Sequence, residues 1–424
     1  MKADYGIGAP AIAPVKPRAD WTPIEWALTV VLAVFGFFAT SSSAGVAIAQ
    51  GLLLLLAIPL WPSIRRLAPW KSPPMGCGLL LLAYIAVHSL GFNGWTRVTW
   101  HSINRYQELF FAPLMFALFQ LLPDRRVFYR ALLTGALVLA LLHWAGLWLP
   151  RLAGFLESRR ISAGFAFAVL AFMLLMQART HAQPWRLRAL AAFFAITVLF
   201  GVNGRTGYLV LLLLVAAAGW LHSPKRWRWA ACVVMPIVVL GIAWSSGAVQ
   251  NRLHETLIGA QTDEPDMTTS TGIRKHMLQI AGQLVHAHPM LGVGFGNYGE
   301  AHREAVKSLY ADDAAAYARL PHTWAFTDNP HNEYLMELLG GGIPALLLFL
   351  AWLGLTLREA LRADTMHRAL LAGVCLAFAF GCLFNSLLMD FGEGHLYMGL
   401  MAWLLACMAQ GRTKARPQIR PHSA

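Results

Sequence analysis

Residues 189–221 read ALAAFFAITVLFGVNGRTGYLVLLLLVAAAGWL. Two apolar blocks, 189–203 and 206–221, flank a turn of almost no length. Each is close to the length one helix needs to cross the hydrocarbon core of a bilayer. Outward from this pair, similar blocks recur near 25–40, 46–61, 77–92, 107–122, 131–149, 161–178, 229–248, 333–357, 369–389 and 396–410. The pattern predicts an all-α polytopic membrane protein of about twelve transmembrane helices. Composition agrees, because 57% of the 424 residues are hydrophobic and only 13% charged, against roughly 25% charged in soluble proteins. A water-soluble globule is excluded.

The net charge of +13 does not point to nucleic acid, because the basic residues fall in short clusters between apolar blocks. With a cytoplasmic N-terminus the inside segments hold 22 of the 34 Lys and Arg: Lys2, Lys16 and Arg18; Arg65, Arg66 and Lys71; Arg125, Arg126 and Arg130; Arg179, Arg186 and Arg188; Lys225, Arg226 and Arg228; Arg358, Arg362 and Arg368; and Arg412, Lys414, Arg416 and Arg420. Both termini are therefore expected in the cytoplasm. The polar leader before the first block is long for a signal peptide, and a second block follows at once, so an uncleaved first span is expected. Cys77, Cys232, Cys375, Cys382 and Cys407 lie in or beside apolar blocks, which suggests neither a disulfide framework nor a thiolate metal site.

The expected organisation is helices one to nine over 1–249, a periplasmic loop over 250–332, and helices ten to twelve with a cytoplasmic tail over 333–424. A connection of that length is unusual unless it is functional or disordered. This one has helical patterning: Ile273, Met277, Ile280, Ala281 and Leu284 share a face between Thr271 and His288, a glycine-rich break follows, and a second helical stretch covers 297–320. These helices are expected to form a polar cap on the outer surface.

Several arginines oppose the orientation rule: Arg97, Arg105, Arg151, Arg159, Arg160, Arg205 and Arg274. Arg97 and Arg151 suit contact with headgroup phosphates. Arg205 has almost no loop to carry it to water, so a polar cavity or anionic ligand is expected there. Several guanidiniums facing one cavity would fit a pyrophosphate, whose oxygens accept paired N–H bonds. Asp328-Asn329-Pro330-His331-Asn332-Glu333 reads as a helix start with Asn329 as N-cap and Pro330 at the first position. His331 would then sit in the first turn, where the helix dipole favours the neutral imidazole, as a general base requires. The alternative is a histidine bonded to a loop carbonyl or to headgroups. His276, His286, His288, His302 and His322 lack zinc-site spacing, Asp312-Asp313 suits a solvated face, and Gly292-Val293-Gly294-Phe295-Gly296 suits a tight turn with close packing.

Asn203-Gly204-Arg205-Thr206-Gly207-Tyr208, Arg274, His288-Pro289 leading into Gly292–Tyr298, and Pro330-His331-Asn332-Glu333-Tyr334-Leu335, in that order and spacing, resemble the O-antigen ligase family of the bacterial cell envelope. The resemblance implies an inner-membrane glycosyltransferase of lipopolysaccharide assembly. It would move a glycan from undecaprenyl pyrophosphate to a sugar hydroxyl of lipid A-core on the periplasmic face, without metal or other cofactor. His331, Arg274 and Arg205 would be catalytic, and Arg205, Arg274, Arg159 and Arg160 would bind the pyrophosphate. O-antigen polymerases and protein O-oligosaccharyltransferases share much of this pattern. The latter usually carry a larger C-terminal periplasmic portion. The Arg and Gly ten residues apart often described for polymerases are not found from Arg274, where the corresponding position is Val285. A transporter or flippase for a lipid-linked solute is the alternative of another class; it would favour charges at mid-membrane and a repeated half.

Overall fold

A computed structural model describes residues 17–202, 204–247, 249–251, 254, 270–320 and 327–415. Asn203, His322, Lys2, Lys16, Arg416 and Arg420, all used in the sequence reading, lie outside these. Among the described residues there is no strand. The helices are α1 (Pro23–Phe38), α2 (Ser43–Leu67), α3 (Pro73–Asn93), α4 (Arg97–Arg105), α5 (Glu108–Leu121), α6 (Arg126–Gly146), α7 (Pro150–Glu157), α8 (Arg160–Gln177), α9 (Pro184–Ile196), α10 (Arg205–His222), α11 (Arg228–Ala243), α12 (Ser270–Ala287), α13 (Tyr298–Leu309), α14 (Ala314–Arg319), α15 (Glu333–Leu361), α16 (Thr365–Gly381) and α17 (Phe391–Ala415). Their starts carry the chemistry that helix ends require. Thr22 and Glu25 close a capping box on α1, Ser42 caps α2, and Asp364 accepts the Met366 and His367 N–H groups at α16.

Among the described residues eight helical segments are long and apolar enough to cross a membrane: those built on α2, α3, α6, α8, α9, α10, α11 and α15. The other four expected spans fall on α1, α5 and α16, which are apolar but shorter, and on α17. The bundle is layered. In α17 every side chain from Leu396 to Met408 is buried, and α8 is nearly as enclosed, whereas α11 exposes most of its apolar surface. A helix apolar all round belongs in the core or against lipid, and these helices occupy the two extremes.

One break in this regularity shapes the site end. In α15 Gly342 adopts φ 68°, and Pro344 lacks the N–H that the ladder needs. Carbonyls freed by the break are taken up from outside: the Val293 N–H donates to Leu339 O at 2.7 Å and the Tyr84 hydroxyl to Gly341 O at 2.6 Å. The incoming loop carries Gly292, Gly294 and Gly296, all at positive φ, and drives the buried Phe295 ring against Gly340 and Gly341. A side chain at Gly292 would collide with Leu339 O, so the glycine run is a docking turn.

The α12 face of Ile273, Met277, Ile280 and Ala281 is buried. The stretch after 297 is two helices rather than one, broken between Leu309 and Ala314. Arg125, grouped with the inside basic cluster, is 1% exposed; it donates to Phe119 O, to Gln120 O at 2.9 Å and to Ala406 O at 3.0 Å. Its planar fork of donors satisfies carbonyls at the end of α5, which have run out of helical partners, and one within α17, rather than facing solvent.

Six connections meet at one end. Arg159 reaches Ser41 O, Gly204 touches Arg160 O, Arg105 pairs with Asp328, Asn332 donates to Leu383 O, Asn385 to Thr206 Oγ1, and Gly392 lies on Ser162.

Candidate active site

The site begins with two glycines. A Cβ on Gly207 would lie 2.8 Å from the Gly164 Cα, so α8 and α10 touch backbone to backbone near their first turns. That contact sets Arg160, first residue of α8, beside the Gly204–Arg205 turn; Gly204, the N-cap, could carry no Cβ without approaching Arg160 O at 3.0 Å. A π-helical turn, Thr197–Gly201, ends the preceding helix. The turn is then pinned by the Tyr208 hydroxyl on Val202 O at 2.9 Å and by Asn385 on Thr206. Arg205 is thereby the first residue of α10, a position where the helix dipole opposes a cation.

Arg274 projects from α12 and is half-buried. Burial depresses its pKa first, and repulsion from Arg205 and then Arg160 depresses it further. Three guanidiniums thus share one field on three elements distant in sequence, an arrangement that an anion with several oxygens relieves. Arg159 is not part of it: its guanidinium donates to Ser41 O and lies over the Phe155 ring at 5.1 Å. Arg160 pairs with Glu157 and borders a cavity of about 220 Å³ with His143, Gly201 and Val202, whereas Arg159 borders another of about 250 Å³.

His331 stands beside Arg274, but not in the first turn of a helix. Helix α15 starts at Glu333, and its N-cap is Asn332, whose side chain accepts the Leu335 N–H at 3.0 Å. The Asn329 side chain instead accepts the His331 N–H at 2.8 Å, closing an Asx turn that holds His331 at φ 51°. Left-handed backbone at a non-glycine residue costs about 1–3 kcal/mol and persists only where the surroundings impose it. Here Ser386 Oγ donates to the same Asn329 oxygen at 2.8 Å, and Thr327 Oγ1 accepts the Asn329 N–H. The imidazole pKa is lowered, by burial first and then by Arg274, with Asp328 acting in the opposite direction. The neutral form is favoured as expected, with burial and a neighbouring cation as its sources. Asp328 is in turn held by Arg105 at 2.6 Å, which explains an arginine the orientation rule leaves unexplained.

The sequence reading passed over the acidic residues behind this site. Glu333 is fully buried and accepts the Leu388 N–H at 2.7 Å and the Met389 N–H at 3.3 Å, tying the α16–α17 connection to the start of α15. Glu108 pairs with His395 at 2.9 Å, both buried. In the same connection burial raises the Asp390 pKa, with Arg105 opposing and Asp328 and Glu108 adding to the rise. A signal was present: Asp390, Glu393 and His395 are ionisable residues between two apolar blocks, and such residues mark functional or tightly paired positions.

Helices of this length and polarity, folded many times through one bundle, make the chain a multi-pass membrane protein. Residues 190–350 match the model of the family described as O-antigen ligase. The family resemblance read from the motifs therefore holds, and it places this segment with membrane enzymes of O-antigen ligase and polymerase type, which transfer glycans. The match includes Arg205, Arg274 and His331, while Arg159, Arg160 and the Asp390 connection lie outside it. No curated protein matches the chain.

Proposed function

We propose that this protein is an O-antigen ligase of the inner membrane, joining a glycan from undecaprenyl pyrophosphate to a sugar hydroxyl of lipid A-core at the periplasmic face. The observation that carries the reading is the common field of Arg160, Arg205 and Arg274 with His331 at its edge. The donor's anomeric carbon already bears its leaving group. Catalysis must therefore stabilise the departing pyrophosphate and take one proton from the acceptor hydroxyl. Arg205 and Arg274, with Arg160, hold the pyrophosphate oxygens. The neutral His331 accepts the hydroxyl proton as the acceptor oxygen bonds to the anomeric carbon, the carbon–oxygen bond to the pyrophosphate breaks, and undecaprenyl pyrophosphate leaves with that electron pair. Attack from the opposite side inverts the anomeric centre, and no metal enters the step. The basic clusters on the opposite end support a periplasmic site with both termini in the cytoplasm.

The test is purified protein given both substrates. Glycan joined to lipid A-core is the expected product; longer chains still on the lipid carrier would make it a polymerase, and carrier moved across a membrane without chemistry would make it a flippase. Arg205→Lys keeps the charge but loses the planar fork, so turnover should fall steeply, with Arg205→Ala and Arg274→Ala at least as severe and Arg358→Ala nearly silent. His331→Gln can hydrogen-bond but cannot take the proton; its turnover should drop by about 100- to 10,000-fold. Near-normal turnover in that variant would leave His331 a positioning role alone.

A further inference from the structure

Arg159 and Arg160 are neighbours, with Cα atoms about 3.8 Å apart, yet they serve different cavities. Arg160 faces the guanidinium cluster, while Arg159 crosses the start of α8 toward the α1–α2 turn. The cavity it meets, about 250 Å³, lies between that turn, Ser158, Ser162 and the first residues of α17. Its volume equals roughly eight waters at about 30 Å³ each, room for one sugar ring with a substituent.

The lining is dense in hydroxyls, and three of them are already engaged: Ser42 Oγ accepts the Gly45 N–H at 3.1 Å, Ser158 Oγ donates to Phe155 O at 3.0 Å, and Ser162 donates to the buried Glu393 carboxyl. Thr40 is different. It is 6% exposed, it borders the cavity, and its hydroxyl has no partner among the described residues. A buried hydroxyl left so costs about 1–3 kcal/mol, which a turn of the side chain toward a ligand oxygen in the cavity would recover. Among the described residues the only guanidinium bordering the cavity is that of Arg159, with one of its N–H donors on Ser41 O; Phe38 and Phe391 supply apolar walls. One cation, several hydroxyls and aromatic faces match a sugar carrying a single phosphate or carboxylate. They do not match a pyrophosphate, which takes several cations, or an acyl chain, which takes none.

We propose that the Arg159 cavity binds an anionic sugar of the acceptor glycolipid, on the opposite side of the α8 start from the donor pyrophosphate. The assignment of that glycolipid as acceptor rests on the ligase reading; the site itself does not. Gly392 abuts Ser162 in this cavity, and the connection just before it holds Ser386 and the Leu388 and Met389 amides that reach Asn329 and Glu333. An occupant is thereby continuous with the element that braces His331.

The experiment measures binding of lipid A-core to the full chain in nanodiscs, using the intact lipid and samples stripped of phosphate or reduced at carboxyl groups. Arg159→Gln should weaken binding of intact lipid by about 10- to 100-fold and abolish discrimination against whichever treated lipid the wild type rejects. Thr40→Val, which keeps shape, should weaken it several-fold. Undecaprenyl pyrophosphate binding should stay at the wild-type value in both variants and fall in Arg205→Ala. Wild-type acceptor binding in Arg159→Gln, a loss confined to donor binding, or equal displacement by phosphatidylglycerol vesicles would each overturn the proposal. The two readings fail separately. Arg159-dependent binding without any joined product refutes the ligase and leaves the site, whereas joined product with unchanged binding in Arg159→Gln refutes the site alone.

Discussion

Replacing Gly207 by alanine adds one methyl group where α10 meets α8, and the geometry gives the consequence. The new carbon would lie 2.8 Å from Gly164 Cα, 3.0 Å from its carbonyl carbon and 3.3 Å from its oxygen, all backbone atoms that cannot rotate away. Carbon atoms pack at about 3.5–4.0 Å, so the helices must part by about 1 Å at this level. Overpacking of this kind costs typically about 1–3 kcal/mol, which a bundle of this size should survive. The displacement matters more than the energy. Gly207 is two residues from Arg205 and Gly164 one helical turn from Arg160, so the separation opens the guanidinium cluster itself; a misplacement of about 1 Å can cost about 100-fold in rate. Gly207→Ala should therefore be expressed and monodisperse, with a modestly lowered melting temperature and transfer reduced by about two orders of magnitude. Gly51→Ala, in α2, adds a methyl with nothing within 4 Å, and should change neither. Wild-type turnover in Gly207→Ala would refute the argument that this backbone contact sets the spacing of the arginines.

Two further predictions concern His331. Burial and Arg274 lower its pKa below the ordinary 6.5, so the base form is retained as the pH falls to that value and is lost only on passing the depressed pKa. The acid limb of kcat/KM should move up in pH in Arg274→Ala, which removes the lowering charge, and down in Asp328→Asn, which removes the opposing one; an unmoved limb in both would remove His331 from the titration. Asn329→Ala deletes the acceptor of both the His331 N–H and the Ser386 hydroxyl, and should cut kcat about 10- to 100-fold with donor binding intact. Asn329→Asp keeps the acceptor and should restore most of the turnover.

Residues 189–221 made two helices and a turn legible because hydropathy is local: a block of apolar side chains must leave water wherever its neighbours are. The same holds for the buried α12 face and the glycine run, whose periodicity and composition state what each segment needs. Arg205, Arg274 and His331 stood out from charge placement and motif. Their common field did not, because it depends on Gly207 meeting Gly164 and on α12 packing against α13 and α15, registrations between segments tens of residues apart.

His331 shows where local reading stops. A proline preceded by asparagine is a sound helix start, but the Asn329 side chain has two candidate uses, N-cap and Asx turn, of similar local energy. Ser386, more than fifty residues away, donates to that oxygen and selects the turn. Likewise nothing in the pair Arg159-Arg160 shows that one faces the guanidinium cluster and the other the α1–α2 turn. Arg159 is the N-cap of α8 and Arg160 its first helical residue, so the two side chains leave the backbone in different directions, and what each meets is decided by which helices pack there. Hydropathy assigns residues to the membrane one block at a time; partners for charges are assigned by packing, through contacts that exist only once the bundle has closed.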